Sequence, residues 1–360
     1  MPDTPAKHVM HGLKLSLFTG KLEAYFRVKG IEHDFVEMDR ADFQRCAQAT
    51  GIAQMPQVET PDGGWLTDTT AIIAKFEAEG AGPNLTPQSP VAKFASLMLE
   101  DLFDEWYWRP ALYYRWAFDE DALLMSSQAA RTILRDVPLP FFLRRQFVLR
   151  RQRKVYMAED AVTPETAPAI EAHYHETLAV LNEILANRPF LMGQRPCEAD
   201  FGMFGPFFRH FFSDPTPGLI MREEAPHVCA WVTRLWALRP SDLENVPEIT
   251  DVPDDLSFFF QMFGNDYLSY LQANADAAER GDKNVRHEAQ GVEWSLPTAP
   301  YRVYCLSELR RHFQGLGPDD QEKVRTLIGH GADLLKEQPR SIDGPETFAG
   351  GAKPVTRLWT

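Results

Sequence analysis

The chain has 360 residues, which is enough for two or three domains and a sizeable core. Hydrophobic residues make up 44% of it and charged residues 24%, a balance that excludes a disordered chain. With 51 Asp and Glu against 37 Lys and Arg, the formal net charge of -14 disfavours nucleic acids and anionic membranes as partners.

The cysteine content and the hydropathy of the sequence indicate the cellular compartment of the protein. The four cysteines form no C-x-x-C pair and are too scattered for a disulfide framework, which predicts reduced thiols in a cytoplasmic protein. The sequence shows no targeting segment, and no stretch reaches the ~18 apolar residues that a membrane span needs. The histidine pairs lack metal-ligand spacing, so we predict no metal site.

Residues 1–82 alternate between strand-like and helix-like periods, as is typical of an α/β unit. Phe18, Leu22, Tyr25 and Phe26 fall on one helical face, and Gly30 follows where a helix C-cap is expected. The predicted elements are a strand at 7–11, that helix, a strand at 33–38, a loop with one helical turn, a hairpin of 57–59 with 65–66, and a helix at 71–79.

Two linkers divide the rest of the chain. Residues 80–92 and 239–253 are rich in turn-forming residues, so we predict three parts, at 1–82, 90–240 and 241–360. The middle part is helical in period almost throughout and is predicted to be all-α, with helices at 92–108, 111–116, 141–157, 168–186, 198–212 and 225–237. The last part is predicted to be mostly helical, with helices at 254–278, 301–313 and 319–335, a candidate hairpin across 290–291 and a terminal tail.

The first predicted helix of this C-terminal extension has a strongly apolar face that must be covered. Its members are Leu256, Phe259, Phe260, Phe263 and Leu268. We expect this face to pack on the helical domain, so that the extension shields or lines an active cleft. A dimer or partner surface is the alternative.

Three short segments in the first part are candidates for chemistry. Ser16 precedes the first helix, where free backbone N–H groups and the helix dipole favour an anion, although a helix N-cap explains it equally. Met55-Pro56 precedes a strand, where a cis bond would expose backbone groups to an extended ligand and a trans turn is the ordinary alternative. Asp68-Thr69 opens a helix and can hold an ammonium and a carboxylate, or serve only as a cap.

Together these segments, followed by an all-helical domain, resemble the glutathione transferase superfamily over residues 7–236. Ser16 falls where serine- or cysteine-type members carry the catalytic residue. Met55-Pro56 matches the segment with the cis-proline, and residues 66–72 match the element that binds the γ-glutamyl group. Residues 190–201 resemble the segment that starts the central helix of the second domain. Leu17 departs from the Pro that often follows Ser16 in members with this loop.

The resemblance implies a thioredoxin-like N-terminal domain, an all-helical second domain and glutathione as co-substrate. Ser16 would donate a hydrogen bond to the glutathione sulfur and so favour its thiolate. The glutathione-binding set would be Phe18, Gln54, Met55, Pro56, Asp68 and Thr69. The resemblance also implies a homodimer.

The second substrate, a small electrophile, is expected between the two domains, beside the aromatic run 104–116. Trp106 and Tyr113 are candidate walls of its pocket, and Arg115 is a candidate ligand for an anionic substituent. Aromatic residues at helical spacing also fit a core, and this alternative stays open.

The sequence therefore favours a glutathione-dependent transferase acting on a small, apolar or aromatic electrophile, with a role in detoxification. Glutathione-dependent lyase or isomerase activity fits the same site. The opposing hypothesis is a non-catalytic scaffold with the same fold. A thiol-disulfide oxidoreductase is disfavoured because positions 16 and 19 hold Ser16 and Thr19 in place of cysteine.

Overall fold

A four-stranded sheet organises the N-terminal part of the computed structural model, which describes residues 7–340. The strand order is β2-β1-β3-β4, with β1 and β2 parallel and β3 antiparallel to both of its neighbours. The elements are β1 (His8–Gly12), α1 (Leu17–Lys29), β2 (His33–Glu37), α2 (Arg40–Thr50), β3 (Gln57–Glu59), β4 (Trp65–Thr67) and α3 (Thr69–Glu79). The predicted thioredoxin-like fold is confirmed, although α2 is a full helix where one turn was expected.

The second part is helical, as predicted. Its helices are α4 (Pro90–Glu105), α5 (Trp108–Ala117), α6 (Asp119–Arg131), α7 (Phe141–Arg151), the short α8 (Met157–Glu159), α9 (Ala167–Asn187), α10 (Glu198–Pro206), α11 (Pro215–Glu224) and α12 (Pro226–Ala237). A π-helical segment, Gln152–Tyr156, joins α7 to α8, and another, Phe207–Phe212, follows α10.

Two of these helices, α6 and α11, were not predicted. The prolines Pro215 and Pro217 interrupt the sequence pattern of α11, yet the first turn of a helix tolerates proline because its N–H groups have no partner within the helix. Three acidic residues open α6, where they interact favourably with the positive end of the helix dipole.

The extension is mostly helical and carries a two-stranded hairpin. Its elements are α13 (Ser257–Met262), a π-helical segment (Phe263–Tyr267), α14 (Leu268–Arg280), β5 (Asn284–Ala289), β6 (Val292–Pro297), α15 (Pro300–Gln314), α16 (Pro318–Ile328) and α17 (Ala332–Leu335). The single helix predicted at 319–335 is divided by a 3-10 turn at Gly329–Gly331. The predicted tail at 341–360 lies outside the described residues.

The apolar face of the extension is buried within this one chain. Leu256, Phe259, Phe263 and Leu268 are fully buried and belong to the same core as the helical domain. Phe103 of α4 packs against Phe259 with the two rings tilted and their centroids 5.3 Å apart. The face is therefore covered by packing on the helical domain, which was the first of the two expected alternatives.

The helix α4 lies between the N-terminal part and the extension and is tied to both by buried charges. Lys21 of α1 is fully buried and forms ion pairs with Glu100 and Asp104. On the other side, Tyr267 donates to Asp101 at 2.8 Å and Arg302 pairs with Glu105 at 3.1 Å. These contacts fix the extension relative to the start of α3.

In residues 7–340 no helix combines the length and the apolar character needed to span a bilayer.

Candidate functional site

A cleft of about 800 Å³ lies between the loops of the N-terminal part, the helices α5 to α7 and the start of α15. One side is polar and is built by the ends of β-strands and the starts of α1 and α3. The other side is apolar and is built by helices of the second part. The predicted glutathione-site residues Ser16, Phe18, Gln54, Met55, Pro56, Asp68 and Thr69 all line this cleft.

Ser16 is the N-cap of α1 and faces the cleft. Its Oγ accepts a hydrogen bond from the backbone N–H of Thr19 at 3.4 Å. In the described residues the Ser16 hydroxyl has no acceptor, so its own proton remains available to a ligand. The capping role and the proposed donor role are therefore compatible, because one uses the oxygen as acceptor and the other uses its hydrogen.

Packing fixes the loop that carries Ser16. Leu17 is buried and lies against α10, where its carbonyl oxygen would be 3.1 Å from a Cβ at Gly205. A side chain at position 205 would make this contact tighter than usual, so glycine favours the close approach of the two backbones. The ring of Phe18 stacks on Trp108 of α5, with centroids 6.0 Å apart and an interplanar angle of 18°. These contacts supply the rigidity that proline would give at position 17.

The segment before β3 forms the next part of the polar wall. The Met55-Pro56 peptide bond is cis, as the resemblance implies. The buried amide of Gln57 donates to the backbone carbonyls of Ile52 at 2.7 Å and Gln54 at 3.1 Å. The loop that presents Gln54 and Met55 to the cleft is thus held by a side chain behind it.

Asp68 caps α3 from a left-handed backbone conformation, with φ of 69°. Its Oδ1 accepts from the backbone N–H groups of Thr70 at 3.0 Å and Ala71 at 3.3 Å. Its Oδ2 accepts from the hydroxyl of Tyr301 at 2.8 Å. Burial raises the pKa of Asp68, and the hydrogen bond from Tyr301 and the charge of Lys21 oppose that rise.

Three cleft residues, Ala299, Tyr301 and Arg302, come from the extension. Sequence reasoning missed them because no local pattern links position 301 to position 68. The only available signal was the uncovered apolar face of the extension, which required it to pack near the cleft. Arg302 is anchored by Glu105 and by the hydroxyl of Tyr270, to which it donates at 2.7 Å.

The apolar side of the cleft is walled by aromatic and aliphatic side chains of α5, α6 and α7. Trp108 is fixed by a 3.0 Å hydrogen bond from its indole nitrogen to Asp160. The remaining apolar wall residues from these helices and the segment after α6 are Leu112, Trp116, Met125, Ala129, Ile133, Leu134, Phe147 and Val148. A flat, apolar ligand fits such a surface because it buries area without leaving a polar group unpaired.

The prediction that Trp106 and Tyr113 wall this pocket is wrong. Trp106 points into the junction with the extension, where its ring lies 6.0 Å from those of Tyr267 and Tyr270. Tyr113 packs on Tyr114 and donates its hydroxyl proton to Glu171. Both are core residues, which was the alternative left open, and Trp108 and Trp116 face the cleft instead.

Arg115 lines the cleft, but each of its three guanidinium nitrogens already donates to the protein. It forms a bidentate ion pair with the buried Asp214, at 2.7 and 2.9 Å. It also donates to the backbone carbonyl of Leu15 at 2.7 Å and to that of Arg209. The structure therefore gives Arg115 a bracing role and leaves no free donor fork for a substrate anion.

His11, Asp42 and Cys46 bring three potential metal-ligand atoms within 4.8 Å of one another, behind β1. Burial raises the pKa of Cys46 to about 12, so its thiol stays protonated at neutral pH. The guanidinium of Arg45 lies 3.2 Å from Nε2 of His11, and Nδ1 of His11 bonds to Asp42 at 2.8 Å. The positive charge of Arg45 at this position would repel a metal ion. These residues therefore form a hydrogen-bonded cluster.

Two family models match the chain. Residues 10–84 match the model described as "Glutathione S-transferase, N-terminal domain". Residues 149–238 match the model described as "Glutathione S-transferase, C-terminal domain". Residues after 238 lie outside both matches, and no curated protein matches the sequence.

Solved structures similar to the chain include a β-etherase, LigF, from Sphingobium sp. strain SYK-6, with 21% identity and a TM-score of 0.46 over 66% of this chain and 97% of that one. A glutathione S-transferase from Pseudomonas fluorescens has 16% identity and a TM-score of 0.40, covering 67% of this chain and 98% of its own. A third, from Methylobacillus flagellatus KT with glutathione bound, has 16% identity and a TM-score of 0.39, covering 66% and 100%.

The two family matches agree with the fold. The match at 10–84 covers the four-stranded sheet with its helices, and the match at 149–238 covers the helices from the end of α7 to α12. Both domains stand in the order expected from the sequence, and the two matches support membership of the chain in the glutathione S-transferase superfamily.

Proposed function

We propose that the chain is a glutathione transferase that joins the glutathione thiolate to a small, apolar or aromatic electrophile. The observation that carries this proposal is the meeting of three segments distant in sequence on one wall of the cleft. Ser16, the Gln54–Pro56 loop and Asp68-Thr69 line that wall together, opposite an apolar wall. Family membership supports glutathione as the co-substrate.

Glutathione would lie along the polar wall with its γ-glutamyl end at the start of α3. The partly buried carboxylate of Asp68 suits its ammonium group, and the backbone N–H and hydroxyl of Thr69 suit its carboxylate. The backbone of Met55 would pair with the cysteinyl residue of glutathione. This placement brings the sulfur to the start of α1, beside Ser16.

Ser16 then favours the anion without reacting covalently. A free thiol ionises with a pKa of about 8.5, and only the thiolate attacks. The Ser16 proton and the N–H groups at the start of α1 stabilise that thiolate, and the thiol proton passes to solvent. The sulfur forms a bond to the electrophilic carbon while the leaving group departs with its electron pair. In an addition, the electron pair instead moves onto the acceptor.

The test is Ser16→Ala, with glutathione binding and turnover measured separately. Loss of one preorganised donor is expected to lower kcat by about a hundredfold or more, while glutathione affinity stays nearly unchanged. Ser89→Ala is the matched control, because Ser89 also caps a helix, accepting from Ala92 at 3.1 Å, outside the cleft. Both variants lose a cap worth about 1 kcal/mol, so only the first should lose turnover.

A thermal shift with millimolar glutathione tests the scaffold alternative. A ligand of the native state must raise the unfolding midpoint. Wild-type protein without any shift would reject the transferase proposal and favour a non-catalytic scaffold.

The homodimer, the cytoplasmic location and the domain limits at 82, 90 and 240 stay predictions. Gel filtration with light scattering would test the dimer.

A further inference from the structure

We propose that the C-terminal extension completes the γ-glutamyl subsite, with Tyr301 as a positioning residue that orients the Asp68 carboxylate and maintains its charge. This inference rests on the proposed function, since it assigns a role in glutathione binding to a segment outside both family matches. It gives the extension a role beyond covering the apolar surface of the helical domain.

The geometry sets Tyr301 against the side of Asp68 that α3 leaves open. One carboxylate oxygen of Asp68 is used by the N–H groups of its own helix, which leaves Oδ2 to other donors. Tyr301 occupies one lone pair of Oδ2 with a 2.8 Å hydrogen bond. A carboxylate oxygen accepts two hydrogen bonds, so Oδ2 can still take an ammonium from the cleft.

The electrostatic surroundings explain why this bond matters. Asp68 is partly buried, which raises its pKa, and Glu100 of α4 lies close enough to raise it further. Three features lower it: the hydroxyl of Tyr301 on α15, the charge of Lys21 on α1 and the backbone N–H of Ala71 on α3. Glu105 of α4 and, on the extension, Tyr304 and Cys305 also interact electrostatically with Asp68. The contribution of Tyr301 is a direct hydrogen bond from the extension. Without it, the carboxylate would hold a proton to a higher pH and lose its attraction for an ammonium.

The extension holds Tyr301 in place through the next residue and through α14. Arg302 is partly buried and pairs with Glu105, the last residue of α4. Tyr267 donates to Asp101 one helical turn earlier on the same helix. Asn274 of α14 accepts from the backbone N–H of Ala299 at 2.8 Å and donates to its carbonyl at 2.9 Å, which fixes the start of α15. The hydroxyl therefore meets Asp68 from a preorganised position.

The test is Tyr301→Phe, which removes the hydroxyl and keeps the ring. The probe is S-methylglutathione, because it carries the γ-glutamyl group and has no thiol to titrate. Its dissociation constant is measured by calorimetry between about pH 5 and pH 7, a range in which the α-amino group of the probe stays largely protonated. Affinity should fall on acidification as Asp68 gains a proton, and the midpoint of that fall should lie at higher pH in the variant. At the acidic end the variant should bind about tenfold more weakly than wild type.

Tyr113→Phe is the matched control. It also removes a tyrosine hydroxyl from a carboxylate, that of Glu171, but neither residue lines the cleft. The two variants should lose similar stability, and only Tyr301→Phe should move the pH midpoint. Equal midpoints in all three proteins would overturn the inference while leaving glutathione binding intact. Absence of S-methylglutathione binding by wild type would instead reject the proposed function itself.

Discussion

The two sides of the cleft are built in different ways. The polar side is made of helix starts and a loop, and its groups make hydrogen bonds to residues nearby in sequence, such as Ser16 with Thr19 and Asp68 with Thr70. The apolar side is made of the inward faces of α5, α6 and α7, which are set by the packing of whole helices. A site built in this way can bind the same substrate on its polar side while its apolar side accepts different second substrates.

Arg115 joins the two sides of the cleft, so its loss is expected to have the largest effect on stability and on the binding of both substrates. Arg115→Met leaves Asp214, which is 1% exposed, as a buried charge without its partner and frees the carbonyl of Leu15 next to Ser16. Breaking such a pair costs about 3–5 kcal/mol of the free energy of unfolding. Denaturant unfolding would measure this loss, and both glutathione and electrophile should bind more weakly.

A double variant separates the charge from the packing. In Arg115→Met with Asp214→Asn no unpaired charge is left in the interior, so much of the lost stability should return. A single variant as stable as wild type would show that the two sides of the cleft do not depend on this brace.

Asp68→Asn should affect the polar side alone. Asparagine keeps the shape and one acceptor oxygen, but it removes the charge that attracts the glutathione ammonium. Losing one partner of a buried charge pair costs about 2–5 kcal/mol, so glutathione should bind about a hundredfold more weakly. Calorimetry would measure this affinity, and the KM for the electrophile at saturating glutathione should stay close to that of wild type.

Asp39→Asn is the control for this change. Asp39 caps α2 by accepting from the backbone N–H of Asp42 at 2.9 Å, and it does not line the cleft. Unaltered glutathione affinity in Asp68→Asn would show that the γ-glutamyl subsite does not lie at the start of α3.

The difference between local bonds on the polar side and helix packing on the apolar side also decides which parts of the site could be predicted from the sequence. Caps and turns are local, so the pattern around Asp68 is enough to place it at the start of a helix on the cleft wall. The cleft-facing side of α5 depends on what covers its other faces. Trp106 was predicted to face the ligand because the packing of the extension around it was unknown. The contact of Tyr301 with Asp68 joins residues 233 positions apart and has no local signature.

Trp108→Leu should affect the apolar side alone and is the smallest of these changes. It removes the ring that stacks on Phe18 and leaves an aliphatic surface, so the KM for an aromatic electrophile should rise about tenfold, equivalent to ~1.4 kcal/mol of lost aromatic contact. Steady-state kinetics at saturating glutathione would show this rise, with glutathione affinity unchanged. Trp65→Leu is the control, since Trp65 is a half-buried tryptophan on β4 that does not line the cleft. A loss of glutathione affinity in Trp108→Leu equal to the change in KM would mean that stacking on Phe18 shapes the polar side, so that the two sides act as one unit.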